Sequence, residues 1–372
     1  MIPRFLLVFA LALAGAGLLP QPRGRLDPPI TLAEFGRLLT SLSEPEGYFD
    51  TDNFISNEAA YLRVLPPLRR RAVRGGVYVG VGPDQNYSYI AEIRPDLAVI
   101  LDIRRQNALL HLYYKALFEL SANRLAFVER LFGRALGPEH GGKQTLAISA
   151  LLERIARAPR LDAYQERKPS EARSALRAWS LPLAETDYAA IDYIARAFFR
   201  GGPELKFTTY NREPRPQHPT YRQLLEERDS DGIQANYLAD EERFRRVKAL
   251  HHENRIVPVV GDFSGAYAFQ SIAAELRRRG LRVRCFYASN VEFYLFRGQR
   301  WDTYIRNLRA LPLDPDAYVV RTYANMWQPH PAQVPGYYMT TVLQSLPGFL
   351  ADEARGSSGS YWDLVTRDCI LK

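Results

Sequence analysis

Cysteine, histidine and lysine are all scarce in this chain of 372 residues, and each scarcity removes a class of function. Two cysteines, Cys285 and Cys369, supply no disulfide framework. Cys285 falls in the apolar run 283–288 and reads as a small core residue rather than a nucleophile. Six histidines, at 111, 140, 218, 251, 252 and 330, keep no ligand spacing, so no metal is expected. No serine–histidine–acid or cysteine–histidine arrangement emerges from spacing either. The net charge is +8, yet only six of the 49 basic residues are lysine, and the arginines are scattered rather than gathered in a stripe. Nucleic acid is therefore not an expected partner. Internal repeats and low-complexity tracts are absent, and 47% hydrophobic residues are enough to bury a full core.

What is present begins with an unusual N-terminus. Arg4 precedes an uninterrupted apolar run over 5–19, and Ala14-Gly15-Ala16 supplies small residues at cleavage-site spacing. These are the parts of a secretory signal, and the run is short for a membrane span of about twenty residues. Residues 1–26 are expected to be a signal peptide or membrane anchor, and 27–372 a single α/β domain exported to the periplasm or tethered by 5–19. Arg23 and Arg25 oppose translocation, so a cytoplasmic location is the alternative.

The most informative stretch is 75–104, GGVYVGVGPDQNYSYIAEIRPDLAVILDIR. Residues 77–81 are β-branched and aromatic, bounded by Gly75, Gly76, Gly82 and Pro83, and predict a strand. Residues 86–94 predict a helix, and 98–103 a second strand. The turn Gly80-Val81-Gly82 lets backbone approach a ligand, because neither glycine carries a Cβ. Asp102 lies twenty residues beyond Gly82, the distance that suits a carboxylate accepting hydrogen bonds from ribose hydroxyls. Asp84 and Asn86 join Gly80, Gly82 and Asp102 as expected cofactor-binding residues. A dinucleotide fingerprint would place a third glycine where Gln85 stands, which argues against NAD and FAD. The competing reading is an ordinary βαβ unit whose glycines serve only the turn.

Elsewhere the pattern alternates strands with helices. Thr31-Leu32-Ala33-Glu34 has capping-box spacing before an amphipathic helix. The segment 48–58, YFDTDNFISNE, is expected to fold over the cofactor crevice, with Asn57 and Glu58 as cap residues or as its closure. Residues 137–144 nearly match a P-loop, but a helical pattern precedes them and Gln144 replaces the magnesium-binding hydroxyl. A helical insertion is expected over about 137–204, with strand candidates at 205–210, 256–260, 281–288, 317–323 and 337–343. The last two are expected to pair antiparallel at a sheet edge. The fold class is an α/β three-layer αβα sandwich around a mostly parallel sheet.

Ligands of such sheets bind beyond the carboxyl ends of the strands. Asp262 follows an apolar strand and Gly261, and is the expected catalytic residue; an N-cap role is the alternative. Ser289-x-x-Glu292 has capping-box spacing, which accounts for both residues without function. Asn57, Tyr287 and Asn290 are the expected substrate contacts.

The single G-x-G turn with its downstream acid resembles the first motif of class I S-adenosylmethionine-dependent methyltransferases, although Tyr78 and Val79 stand where that family carries an acid. YLADEERFRRVKALHHENRIVPVVGDFSG and CFYASNVEFYLF resemble a family of uncharacterised bacterial proteins with a methyltransferase-like core, over about 48–323. The resemblance implies a Rossmann-like fold and S-adenosylmethionine, or a related adenosyl small molecule, as ligand, with the acceptor unspecified. A non-enzymatic exported binding or scaffold protein on a degenerate methyltransferase fold is the alternative.

Overall fold

The computed structural model describes residues 28–136, 146–159, 171–211, 213, 215–326, 328–356 and 359–370. The signal-like segment lies outside these residues, as do 137–145 and 160–170 of the expected insertion.

Six strands form one sheet: β1 (Val77–Gly80), β2 (Leu97–Asp102), β3 (Ile256–Val260), β4 (Val283–Ser289), β5 (Leu313–Ala324) and β6 (Met339–Ser345). Their order is β3-β2-β1-β4-β5-β6. The first five run parallel, and β6 pairs antiparallel with β5 at the edge. Every residue of β1, β2 and β3 is buried. That is why these strands read as continuous apolar runs: helices cover both faces of a parallel sheet. Central β1 pairs Val79 with Val99 on one side and with Phe286 on the other. The chain fills β1, β2 and β3 outward, then returns to place β4 on the opposite flank of β1. The gap between β1 and β4 is the topological switch point.

The helices follow their sequence signals closely. Leu32–Ser41 starts on Thr31, whose hydroxyl accepts from the Glu34 amide at 3.2 Å. Gln85–Ile93 connects β1 to β2. The chain between β2 and β3 carries Arg105–Leu120 and Arg124–Phe132, then the expected insertion, represented by Ile148–Arg157 and Glu185–Gly201. One strand expectation fails. Residues 205–210 make only isolated bridges, Lys206 to Thr220 and Thr209 to Thr51, and do not join the sheet. Their apolar alternation serves a strap laid across the strand ends.

The capping box expected at Ser289 also fails, for a reason that stabilises the sheet. Ser289 has φ +53°, and Asn290 takes the cap position of Val291–Arg297 without a side-chain bond. Glu292 instead turns inward, where Arg321 Nε donates to Oε2 at 2.6 Å and Nη2 to Oε1 at 3.1 Å. Tyr304 donates to Glu292 at 2.7 Å and Arg321 Nη1 to Gln344 at 2.6 Å, so every side-chain nitrogen and oxygen of the fully buried pair has a partner. Arg321→Ala leaves a buried charge unpaired and is expected to cost about 3–5 kcal/mol in urea unfolding. Arg321→Met with Glu292→Leu is expected to cost much less, because no charge remains to be desolvated.

Candidate functional site

A cavity of about 440 Å³ opens at the carboxyl end of the sheet. The strand ends give it Val81 and Gly82 after β1, Asp102 to Arg104 after β2, and Gly261 to Phe263 after β3. Residues 289–291 and 293–295 follow from β4, and Tyr323 and Ala324 from β5. A strap comprising Tyr48, Phe49, Asn53 and residues 56–58 also lines it. The strap is zipped to the failed strand: Tyr210 N donates to the Asp50 carbonyl at 3.0 Å, and Thr51 bridges Thr209.

The expected residues divide into those that reach the cavity and those that do not. Gly82, Asp102, Asp262, Asn57 and Asn290 line it. Gly82 has φ +81°, a backbone conformation that favours glycine. Gly80, Asp84, Asn86 and Tyr287 stand outside the lining. A Cβ on Gly80 would sit 2.0 Å from Asn86 Oδ1 and 2.7 Å from the Tyr78 hydroxyl. The space that Gly80 frees is taken by protein, not by a ligand. Asn86 is fully buried and donates to the carbonyls of Val81, Gly82 and Pro83 at 2.9, 3.1 and 2.7 Å. It staples the turn from behind. Asp84 points into a cluster of phenols, where Tyr221 and Tyr237 both donate to Oδ2.

Asp102 carries a partner that the sequence did not announce. Oδ1 accepts from Arg104 N at 2.9 Å and Nε at 3.1 Å, and Oδ2 from Nη2 at 3.0 Å. Arg104 Nη1 donates to the carbonyls of Thr51 and Asp52 at 3.2 and 2.7 Å. The Asn53 amide, oriented to suit its neighbours, accepts from Nη2 at 3.3 Å and donates to the Ile55 carbonyl at 2.9 Å. All five guanidinium donors are thereby committed. Of about four acceptor positions on Asp102, one on Oδ2 remains for a ligand.

Asp262 has three of its roughly four acceptor positions filled. Oδ1 accepts from the amide and the hydroxyl of Ser264, each at 2.8 Å, and Oδ2 from Arg300 Nη1 at 2.7 Å. Its own amide donates to Glu44 Oε1 at 2.7 Å. The helix cap expected of Asp262 falls instead to Glu44, which accepts from Tyr267 N and Ala268 N at 3.1 and 3.0 Å.

Sequence reasoning undervalued Glu58. It makes no cap bond; its carboxyl enters the cavity between the ends of β4 and β5. Tyr287 and Thr322 donate to Oε2 at 2.6 and 2.7 Å, and the Ser289 hydroxyl donates to Oε1. Burial drives its proton affinity up, and the three hydroxyl donors oppose that rise. Beside it lies Gln85, whose Nε2 donates to the Tyr287 hydroxyl at 3.3 Å and whose buried Oε1 has no partner. The only sequence signal for Glu58 was its place at the end of a polar segment expected to close the crevice.

Fold and site together define a doubly wound α/β protein with a cavity at its switch point. The chain belongs to the family described as Domain of unknown function (DUF7790), whose model matches residues 53–135 and 168–360. A comparison with curated proteins gave no match.

Asp84 generates a test of the structure. Burial raises its pKa from 3.8 to about 6, so the folded chain holds this proton more tightly than the unfolded chain. The resulting stability is present at low pH and is lost as pH rises between those values, by roughly 3 kcal/mol. Urea unfolding of wild type at pH 4.5 and 7 is expected to show about 2 kcal/mol of that decline, and Asp84→Asn is expected to reduce it.

Proposed function

We propose that the cavity binds S-adenosylmethionine or a related adenosyl ligand in a methyltransferase-like protein. One observation carries this reading. The cavity lies at the switch point of a β3-β2-β1-β4-β5-β6 sheet, with Gly82 bare of side chain after β1 and the Asp102 carboxylate at the end of β2. Its volume of about 440 Å³ falls within the usual range for small-molecule sites. Phe49, Phe293 and Tyr294 offer apolar faces to a nucleobase and π-faces to a sulfonium. Asp102 would take one ribose hydroxyl on its remaining acceptor position, and Asn57 and Asn290 would orient the rest of the ligand. The ligand, when bound, supplies an electrophilic methyl group. The residues around it need mainly to align the acceptor and exclude water.

The saturated Arg104 favours a second reading, a non-enzymatic binding protein on the same fold. Arg104 fills three of the Asp102 acceptor positions, two with its guanidinium and one with its backbone amide, and leaves no two-point grip on a ribose diol. Calorimetric titration with S-adenosylmethionine and S-adenosylhomocysteine separates the two. Binding is expected, weakened about tenfold or more in Asp102→Asn through loss of a charge-assisted hydrogen bond. Wild type that binds neither compound would remove the first reading.

A further inference from the structure

Three carboxylates line the cavity, and they are not alike. Asp102 is paired with Arg104, and Asp262 with Arg300. Glu58 has no cationic partner among the described residues, although it is the most deeply buried of the three. Its neighbours donate three hydrogen bonds from neutral hydroxyls, which stabilise a carboxylate without neutralising it. The titratable groups facing it are Tyr287 of β4, Tyr78 of β1, Tyr89 of the following helix and Tyr361 near the C-terminus. All four are phenols that burial drives further toward the neutral form. A buried carboxylate that lacks a counter-charge costs several kcal/mol unless it takes a proton or a cation arrives.

The surroundings state what kind of cation would fit. Glu58 Oε1 keeps one acceptor position open, since Ser289 fills only one of about two. Gln85 presents a second acceptor, Oε1, which is buried and unpartnered while its residue is 6% exposed. The Tyr287 hydroxyl links the two side chains, through Gln85 Nε2 and Glu58 Oε2, and a ligand with more than one donor can use both of the remaining acceptors. A protonated amine has two or three. A metal ion is a poorer occupant, because the described residues contain no group of three metal-ligating side chains.

We propose that Glu58, with Gln85 beside it, is the ammonium-binding site of this cavity, and that the ligand on the β4–β5 side is a primary or secondary amine. This rests on the cavity being a ligand site, the reading given above, and it names the chemistry of one end of that site. The amine belongs either to the adenosyl ligand itself or to a separate acceptor molecule. In the free protein Glu58 holds a proton over a raised range. The ammonium displaces it, and binding strengthens as pH rises through that range. It weakens again where the amine itself deprotonates, at about 10.

The test is isothermal titration of wild type, Glu58→Gln and Glu58→Asp with four probes. S-adenosylhomocysteine and phenethylamine carry an amine; 5′-methylthioadenosine and 2-phenylethanol do not. Glu58→Gln is expected to bind an amine-bearing probe about tenfold or more weakly and to leave the neutral probes unchanged, because a buried charge pair is lost. Glu58→Asp is expected to restore part of the loss. Titration of wild type at acid pH in buffers of different ionisation enthalpy is expected to show proton release on amine binding that Glu58→Gln abolishes.

Loss confined to S-adenosylhomocysteine assigns the amine to the adenosyl ligand, and loss confined to phenethylamine assigns it to an acceptor. If Glu58→Gln does not melt cooperatively, Thr322→Val takes its place. Removing that hydroxyl donor is expected to move the pH midpoint of amine binding upward. Equal affinity of wild type and a folded Glu58→Gln for both amines overturns the proposal, and so does wild type that binds neither. Phenethylamine held by Glu58 without any adenosyl binding upholds the ammonium site and removes the methyltransferase reading. S-adenosylhomocysteine bound equally by wild type and Glu58→Gln, with no phenethylamine binding, does the reverse.

Discussion

One guanidinium holds the strap to the sheet. Arg104 is buried, and a buried guanidinium is tolerated only where each donor finds an acceptor. The Asp102 carboxylate at the end of β2 supplies the charge, and the strap supplies the rest through Thr51, Asp52 and Asn53. With 51–53 anchored there, the chain crosses the strand ends and delivers Glu58 between β4 and β5. The roof of the cavity thus depends on a pair made two residues apart at its floor.

That pair also sets the electrostatics of the space below. The β2 and β3 ends are neutralised by Arg104 and Arg300, whereas the β4–β5 end holds a carboxyl cradled only by hydroxyls. The three carboxylates of the cavity therefore differ in charge pairing, and Arg215 and Arg297 add cationic groups to its lining. Ion pairs settled within the protein orient a ligand by shape, whereas an unneutralised group orients it by charge.

Behind the glycine turn the fold spends many tyrosines. Tyr87 packs edge to face against His111, Tyr114, Phe118 and Tyr237, Tyr221 lies against Phe132 and Phe198, and buried phenols need partners for their hydroxyls. Asp84 is such a partner, which explains why an acid beside the turn faces inward. His111, kept neutral by burial, donates from Nε2 to the Gly82 carbonyl at 2.9 Å and ties the turn to this cluster. The turn that meets the cavity is held from behind by Asn86 and His111.

Most of the architecture was legible along the chain. Apolar runs bounded by glycine and proline marked the parallel strands, and the antiparallel pair at the edge followed from the last two runs. Local periodicity reports burial, and strands covered on both faces carry the clearest form of it. Gly82, Asp102, Asp262, Asn57 and Asn290 were legible as cavity residues because position at a strand end or a loop tip is a local property. Gly80 and Asn86 were misjudged because a missing Cβ looks the same whether a ligand or a neighbouring side chain fills the gap. Ser289 and Glu292 have capping spacing, yet Glu58 and Arg321 claim them from far along the chain. Periodicity and turn chemistry are written into neighbouring residues, and the sequence determined those. Which carboxylate is paired with an arginine and which is held only by hydroxyls depends on groups brought together from opposite ends of the fold, and only the tertiary structure decided that.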